Sequence, residues 1–177
     1  MRPVSVLFLS IVAAAVVAAC SSNQNDTPTT AKCPDLYDPG PTFDFSNPQV
    51  SFKNDVAPIF ARGCAQGTCH GNPTTDNNGI YIGEDATVFI AGAVGVDSGQ
   101  LPPKPPAEPG MKFVAKGDPK NSFLMHKIDG TGGLCALTPR CLGKFCGQEM
   151  PQNLAGGLPQ ADRDTVRRWI AQGANNN

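Results

Sequence analysis

Eight residues, Gly63-Cys64-Ala65-Gln66-Gly67-Thr68-Cys69-His70, place two thiols and an imidazole in one short segment that Gly71 closes. Glycine at positions 63, 67 and 71 makes this stretch a loop, and a loop so rich in soft donors takes its shape from the bonds its sulfurs and ring make. The residues alone allow three outcomes. The thiols can add to the vinyl groups of a haem while His70 ligates the iron, although four residues separate the cysteines where the usual attachment sequence has two. They can close a disulfide on each other, leaving His70 a bystander. With His70 and a later cysteine they can hold a metal, which requires thiolates kept reduced.

Compartment is set by the N-terminus. Arg2 gives a positive start, Val4 to Ala19 is an almost unbroken apolar run too short for a membrane span, and Val17-Ala18-Ala19-Cys20 closes it. Small residues before a cysteine resemble the lipobox of bacterial lipoproteins, which implies a signal peptide at 1–19 and lipid attachment at Cys20. An ordinary signal peptide cut nearby is the alternative. Residues 20–32 are polar, offer nothing to a core, and read as a flexible tether. Ser21 after the lipid cysteine is compatible, by resemblance to known lipoproteins, with sorting to an outer membrane facing the periplasm. The folded part is 33–177, long enough for one domain with its own core. Of 14 basic residues only Arg2 leaves with the signal, so 13 remain against 15 acidic ones, and a balance this close to neutral argues against nucleic acid as a partner.

The chain carries 19 glycines and 17 prolines, clustered at 34–48, 67–83, 101–110 and 130–157. Chain this irregular needs staples, and Cys33, Cys64, Cys69, Cys135, Cys141 and Cys146 supply them in an exported protein. If Cys64 and Cys69 hold haem, the other four can form two disulfides, with two of the last three paired near Met150 and the remaining one meeting Cys33. Spacing does not say which two.

Helix is the only regular structure with strong periodic support. Phe52, Val56, Ile59 and Phe60 predict a helix from Phe52 to Arg62, capped by Ser51, with Pro58 in its first turn. Glu84 to Ala91 reads as a short helix, and 93–96 and 111–114 as extended pieces that could pair in a small ribbon around a proline-rich loop. Asp118 and Pro119 open a helix carrying Phe123, Leu124, Lys127 and Ile128. The last helix, Gln160 to Gln172, puts Val166, Trp169 and Ile170 on one face, leaves Arg163, Arg167 and Arg168 off it, and ends at Gly173.

A haem iron bound by His70 wants a second axial donor, and a methionine thioether is a soft one. Met150 lies in a loop before Pro151 and can be aimed. Met125 falls in a helix and Met111 in an extended piece, where side chains usually serve the core. His126, the other histidine, reads as a solvated helix position, with iron ligation in place of Met150 as its minor alternative. Cys69 and His70 do not form a nucleophile and base, since sequence neighbours seldom aim at one another and no orienting acid is evident.

The run Val56-Ala57-Pro58-Ile59-Phe60 into Cys64-x4-Cys69-His70-Gly71, then Gly117-Asp118-Pro119-x-Asn121-Ser122-x-Leu124-x-x-Lys127-Ile128, Met150-Pro151 and Val166-x-x-Trp169-Ile170-x-x-Gly173-Ala174 resembles exported bacterial cytochrome c domain proteins. The resemblance covers Phe52 to Ala174. It implies a mainly α, class I cytochrome c-like fold with long Gly/Pro-rich loops, its first and last helices crossing at Phe60 and Trp169. It also implies one haem c on Cys64 and Cys69, with His70 as proximal and Met150 as distal ligand. The expectation is an electron carrier and not an enzyme: a membrane-tethered monohaem protein that meets redox partner proteins and no small-molecule substrate. The alternative is a haem-free, disulfide-stapled lipoprotein that serves as a structural or binding module.

Overall fold

Ser51 starts the first helical stretch, its hydroxyl accepting from the Asn54 amide. A π-helical turn, Phe52–Val56, runs into α1, Ala57–Gly63, and Pro58 falls in the first turn of α1, where its missing amide costs nothing. The computed structural model describes residues 33, 37–74, 80–83, 86–103 and 109–177. The expected signal peptide, tether and lipid-bearing Cys20 lie outside them. The other α-helices are α2, Ala86–Ala93, α3, Phe123–Ile128, α4, Thr131–Leu137, and α5, Gln160–Ala171.

The architecture is mainly helical, with no sheet among the described residues. The pieces expected to form a ribbon do lie side by side, the Gly95 amide donating to the Val114 carbonyl at 2.8 Å and that of Phe113 to Val96 at 2.8 Å. They stop at isolated bridges, Val94 to Val114 parallel and Asp97 to Lys112 antiparallel. A change of direction within four residues breaks the register that a ladder needs. The Asp118 helix is also corrected. Asp118 caps a single 3-10 turn, Pro119–Asn121, and Ser122 then turns extended before α3 begins. The fully buried Ser122 hydroxyl holds that break by accepting from the Ala115 amide at 2.8 Å and donating to the Asp118 carbonyl at 2.8 Å. α4 was not expected, because glycines at 130, 132 and 133 read as loop.

Phe52 is the pivot of the main core. Its ring centroid lies 5.2 Å from Trp169, 5.7 Å from Phe89 and 6.2 Å from Phe60, so the expected Phe60–Trp169 contact is made through Phe52. Val56, Ile59, Val166 and Ile170 complete this center, and the Trp169 indole N–H donates to the Asn175 carbonyl at 2.9 Å. A second cluster joins Leu101, Met111, Phe123, Leu134 and Leu137 to the Cys141–Cys146 disulfide, with Phe113 packed on both clusters. A further disulfide joins Cys33 to Cys135. Two of the last three cysteines are thus paired, and the third meets Cys33.

Arg167 does not lie on the solvent side of α5. Only 3% of it is exposed, and its guanidinium forks onto both Asp129 oxygens at 2.6 and 2.7 Å and onto Asp164 at 2.6 Å, with the Tyr37 ring 4.6 Å away. His126 is likewise no solvated position. It is 6% exposed, and its ring nitrogens meet the Gly133 and Lys120 carbonyls at 3.1 and 3.0 Å. With both nitrogens so engaged, neither is presented to iron. His126→Leu keeps the apolar volume and strands those carbonyls, so a urea midpoint should report a loss of about 1–3 kcal/mol. An unchanged midpoint would mean that water replaces the ring.

Candidate functional site

α1 delivers the chain into the cysteine loop and the loop folds back on the helix end. The Cys64 and Ala65 amides both donate to the Phe60 carbonyl, at 2.7 and 2.9 Å, and the His70 amide closes the turn onto the Cys64 carbonyl at 3.1 Å. Gly71 is required by this closure, since a Cβ there would run into the Ala65 carbonyl. Gly63 is a close-packed position too: a Cβ would sit 3.2 Å from the Pro151 ring and 3.3 Å from Leu158. The Met150-Pro151 pair, joined by a cis peptide, is thus brought against the start of the cysteine loop from far along the chain.

His70 is half-buried, and its surroundings fix its chemistry. The Ile80 carbonyl lies 2.9 Å from Nδ1; a carbonyl can only accept, so Nδ1 carries the proton and a neutral ring keeps its lone pair on Nε2. Burial lowers the imidazole's pKa, the Ile80 carbonyl draws it back upward, and the Lys127 ammonium adds to the lowering. The Ile82 amide donates to the His70 carbonyl at 2.7 Å, which pins the backbone beneath the ring.

Cys64 and Cys69 are not joined to each other. Cys64 is a buried free thiol, pushed by burial up to about 11 and so inert as a nucleophile in the folded protein. Cys69 is disulfide-bonded. Met150 is partly buried against the main core, and its amide donates to the Lys127 carbonyl at 2.8 Å. Met125 and Met111 are core residues, 3% and 7% exposed.

Among the described residues, no group of three or more histidines, cysteines and acids is arranged to hold a metal ion. Two hollows of the described surface include neither His70 nor Met150 in their lining. One is a cavity of about 40 Å³ between Phe52, Phe60, Ala65, Ile82 and Phe89. The other is a cleft of about 350 Å³ lined by Tyr37, Phe45, Asp118, His126, Asp129 and Arg167.

Lys127 is the residue that sequence reading undervalued here. It is 9% exposed, burial pushes its ammonium down to about 8, and it donates to the Cys146 and Gln148 carbonyls at 2.9 and 2.6 Å. The only sequence signal was its spacing with Phe123, Leu124 and Ile128; the structure buries all six residues of Phe123–Ile128. No family model matches this chain, and neither a curated protein nor a solved structure matches it.

Proposed function

We propose that this protein is an exported, lipid-anchored monohaem c-type cytochrome that carries single electrons between redox partner proteins and turns over no substrate. The observation that carries the reading is the His70 ring. Its Nδ1–H is spent on a backbone carbonyl and burial disfavours the imidazolium, which is how a metal-ligating histidine is prepared. With the Cys69 disulfide opened, the donors suit the group in chemistry: Cys64 and Cys69 would hold haem through thioethers, and His70 and Met150 would be the axial donors. When bound, haem supplies a one-electron iron couple, and a thioether ligand raises its potential. The chain's own part is to keep His70 neutral and oriented on the Ile80 carbonyl, and to tie the Met150 backbone to Lys127.

One observation favours the second reading, a haem-free stapled module. The Cys69 sulfur is used in a disulfide, and one sulfur cannot also form a thioether. Haem attachment and that disulfide are therefore alternatives at a single atom. The decisive experiment is expression of the full chain in a bacterial periplasm with haem c maturation proteins, followed by denaturation, intact mass and a visible spectrum. The expected result is one haem retained through denaturation, with attachment impaired in Cys64→Ser and in Cys69→Ser. A colourless protein that keeps its Cys69 disulfide would establish the second reading. In the loaded protein, Met150→Ala should keep the covalent haem, lower the potential and admit external ligands, because only the soft sulfur is lost. An unchanged potential would remove Met150 from the ligand set.

A further inference from the structure

The segment that carries Met150 has little regular structure of its own. It leaves the Cys141–Cys146 disulfide, passes Gly147 at φ +75° and reaches Met150 without forming a helix or strand. One residue of α3 ties it down at three places. The Lys127 ammonium donates to the carbonyls of Cys146 and Gln148, and the Lys127 carbonyl accepts from the Met150 amide. The stem is fixed as well, with the ammonium 5.7 Å from the center of the Phe123 ring. Gly147 is shaped around this cation: a Cβ there would stand 2.7 Å from Nζ, in a backbone conformation that side chains already disfavour.

Resting on the cytochrome reading, we propose that Lys127 is the positioning residue of the distal ligand, a buried cationic clamp that sets where the Met150 sulfur can reach. A buried ammonium costs desolvation, and an apolar side chain would fill the same volume without it. What an apolar residue cannot supply is two donors on one atom, directed at two carbonyls of an irregular segment. The disulfide fixes only the start of that segment, and the Pro151 ring on Gly63 fixes only its end. Lys127 holds the stretch between them.

The test compares wild type with Lys127→Met, which keeps an apolar stem of similar length, with Lys127→Arg, which keeps donors, and with Gly147→Ala, whose new methyl displaces Nζ. In haem-loaded protein, Lys127→Met and Gly147→Ala should keep the covalent haem and His70 ligation. They should lose the methionine-to-ferric-iron absorption band and shift the potential in the direction of Met150→Ala, and Lys127→Arg should recover part of both. A wild-type band and potential in Lys127→Met would overturn the proposal. If wild type takes up no haem, the cytochrome reading fails on that result alone. The clamp is then judged by hydrogen exchange on the haem-free chain. The Met150 amide should exchange about tenfold faster or more in Lys127→Met, since bonds from a charged donor are worth at least a decade in equilibrium. Unchanged exchange overturns it.

Discussion

Arg167→Met should cost about 3–5 kcal/mol of stability, the range for removing one partner of a buried ion pair. The arginine and Asp129 side chains are each only 4% exposed, and Nη2 of the guanidinium donates to both carboxylate oxygens. Methionine fills much of the space but leaves the Asp129 carboxylate without its cation. Burial already raises that carboxyl above its ordinary 3.8, against the downward pull of Arg167, so losing Arg167 raises it further. The sign of the pH dependence follows. An acid whose folded pKa is raised contributes its stability below the unfolded value and loses it as pH rises through the folded one. The deficit of Arg167→Met should therefore be largest at neutral pH and shrink as pH falls toward 3.8. Urea unfolding at two pH values checks both the size and the trend. The double variant Arg167→Met with Asp129→Leu should recover most of the loss, because replacing both charges removes the desolvation penalty as well as the attraction. A loss under about 1 kcal/mol in the single variant would mean that water reaches the pair, as at an exposed salt bridge.

Arg167 also marks where the sequence stopped being legible. The period of α5 placed Val166, Trp169 and Ile170 inward correctly, and the rule that charged residues face water then sent Arg167 outward. What overrides the rule is a partner 38 residues away on another helix end, and no local pattern contains that information. His126 was misread for the same reason, and the burial of Lys127 was not read at all, each being satisfied by backbone carbonyls of segments that sequence periodicity leaves blank. The helix at Phe52 was legible because a cap, a proline and an apolar stripe agree there, the one at Ala86 because an apolar run lacks breakers, and the one at Gln160 because an apolar stripe ends at Gly173. α4 was not, since its glycines contradict helix locally and its burial comes from the disulfides and Phe123 around it. At the candidate site, the identities of Cys64, Cys69, His70 and Met150 could be read from residue type. The hydrogen bond that sets the His70 tautomer depends on Ile80, which follows a glycine- and asparagine-rich stretch with no periodic signal.

Removing the Cys33–Cys135 disulfide should be the other large loss, and its size follows from chain length. The bond closes a loop of 102 residues, for which the chain-entropy estimate approaches about 5 kcal/mol, whereas the Cys141–Cys146 bond closes 5 and is worth about 2 kcal/mol on the same estimate. The native arm that begins at Cys33 has other fastenings. Gln172 donates to the carbonyls of Phe45, Ser46 and Pro48, and Arg168 and Arg167 stack on Phe43 and Tyr37. Cys33→Ala with Cys135→Ala should thus leave the folded arm docked, and the loss should come from the greater freedom of the unfolded chain. Two measurements separate these contributions. Chemical denaturation should show the Cys33/Cys135 variant losing about 3–5 kcal/mol, more than the Cys141→Ala, Cys146→Ala variant. Hydrogen exchange at the Val50 amide, which donates to the Gln172 side chain at 2.8 Å, should stay protected up to the lower global stability. An arm that frees itself while the rest of the protein remains folded would show that the disulfide acts as a native-state fastener. An equal loss from both pairs would show that loop length does not set the effect.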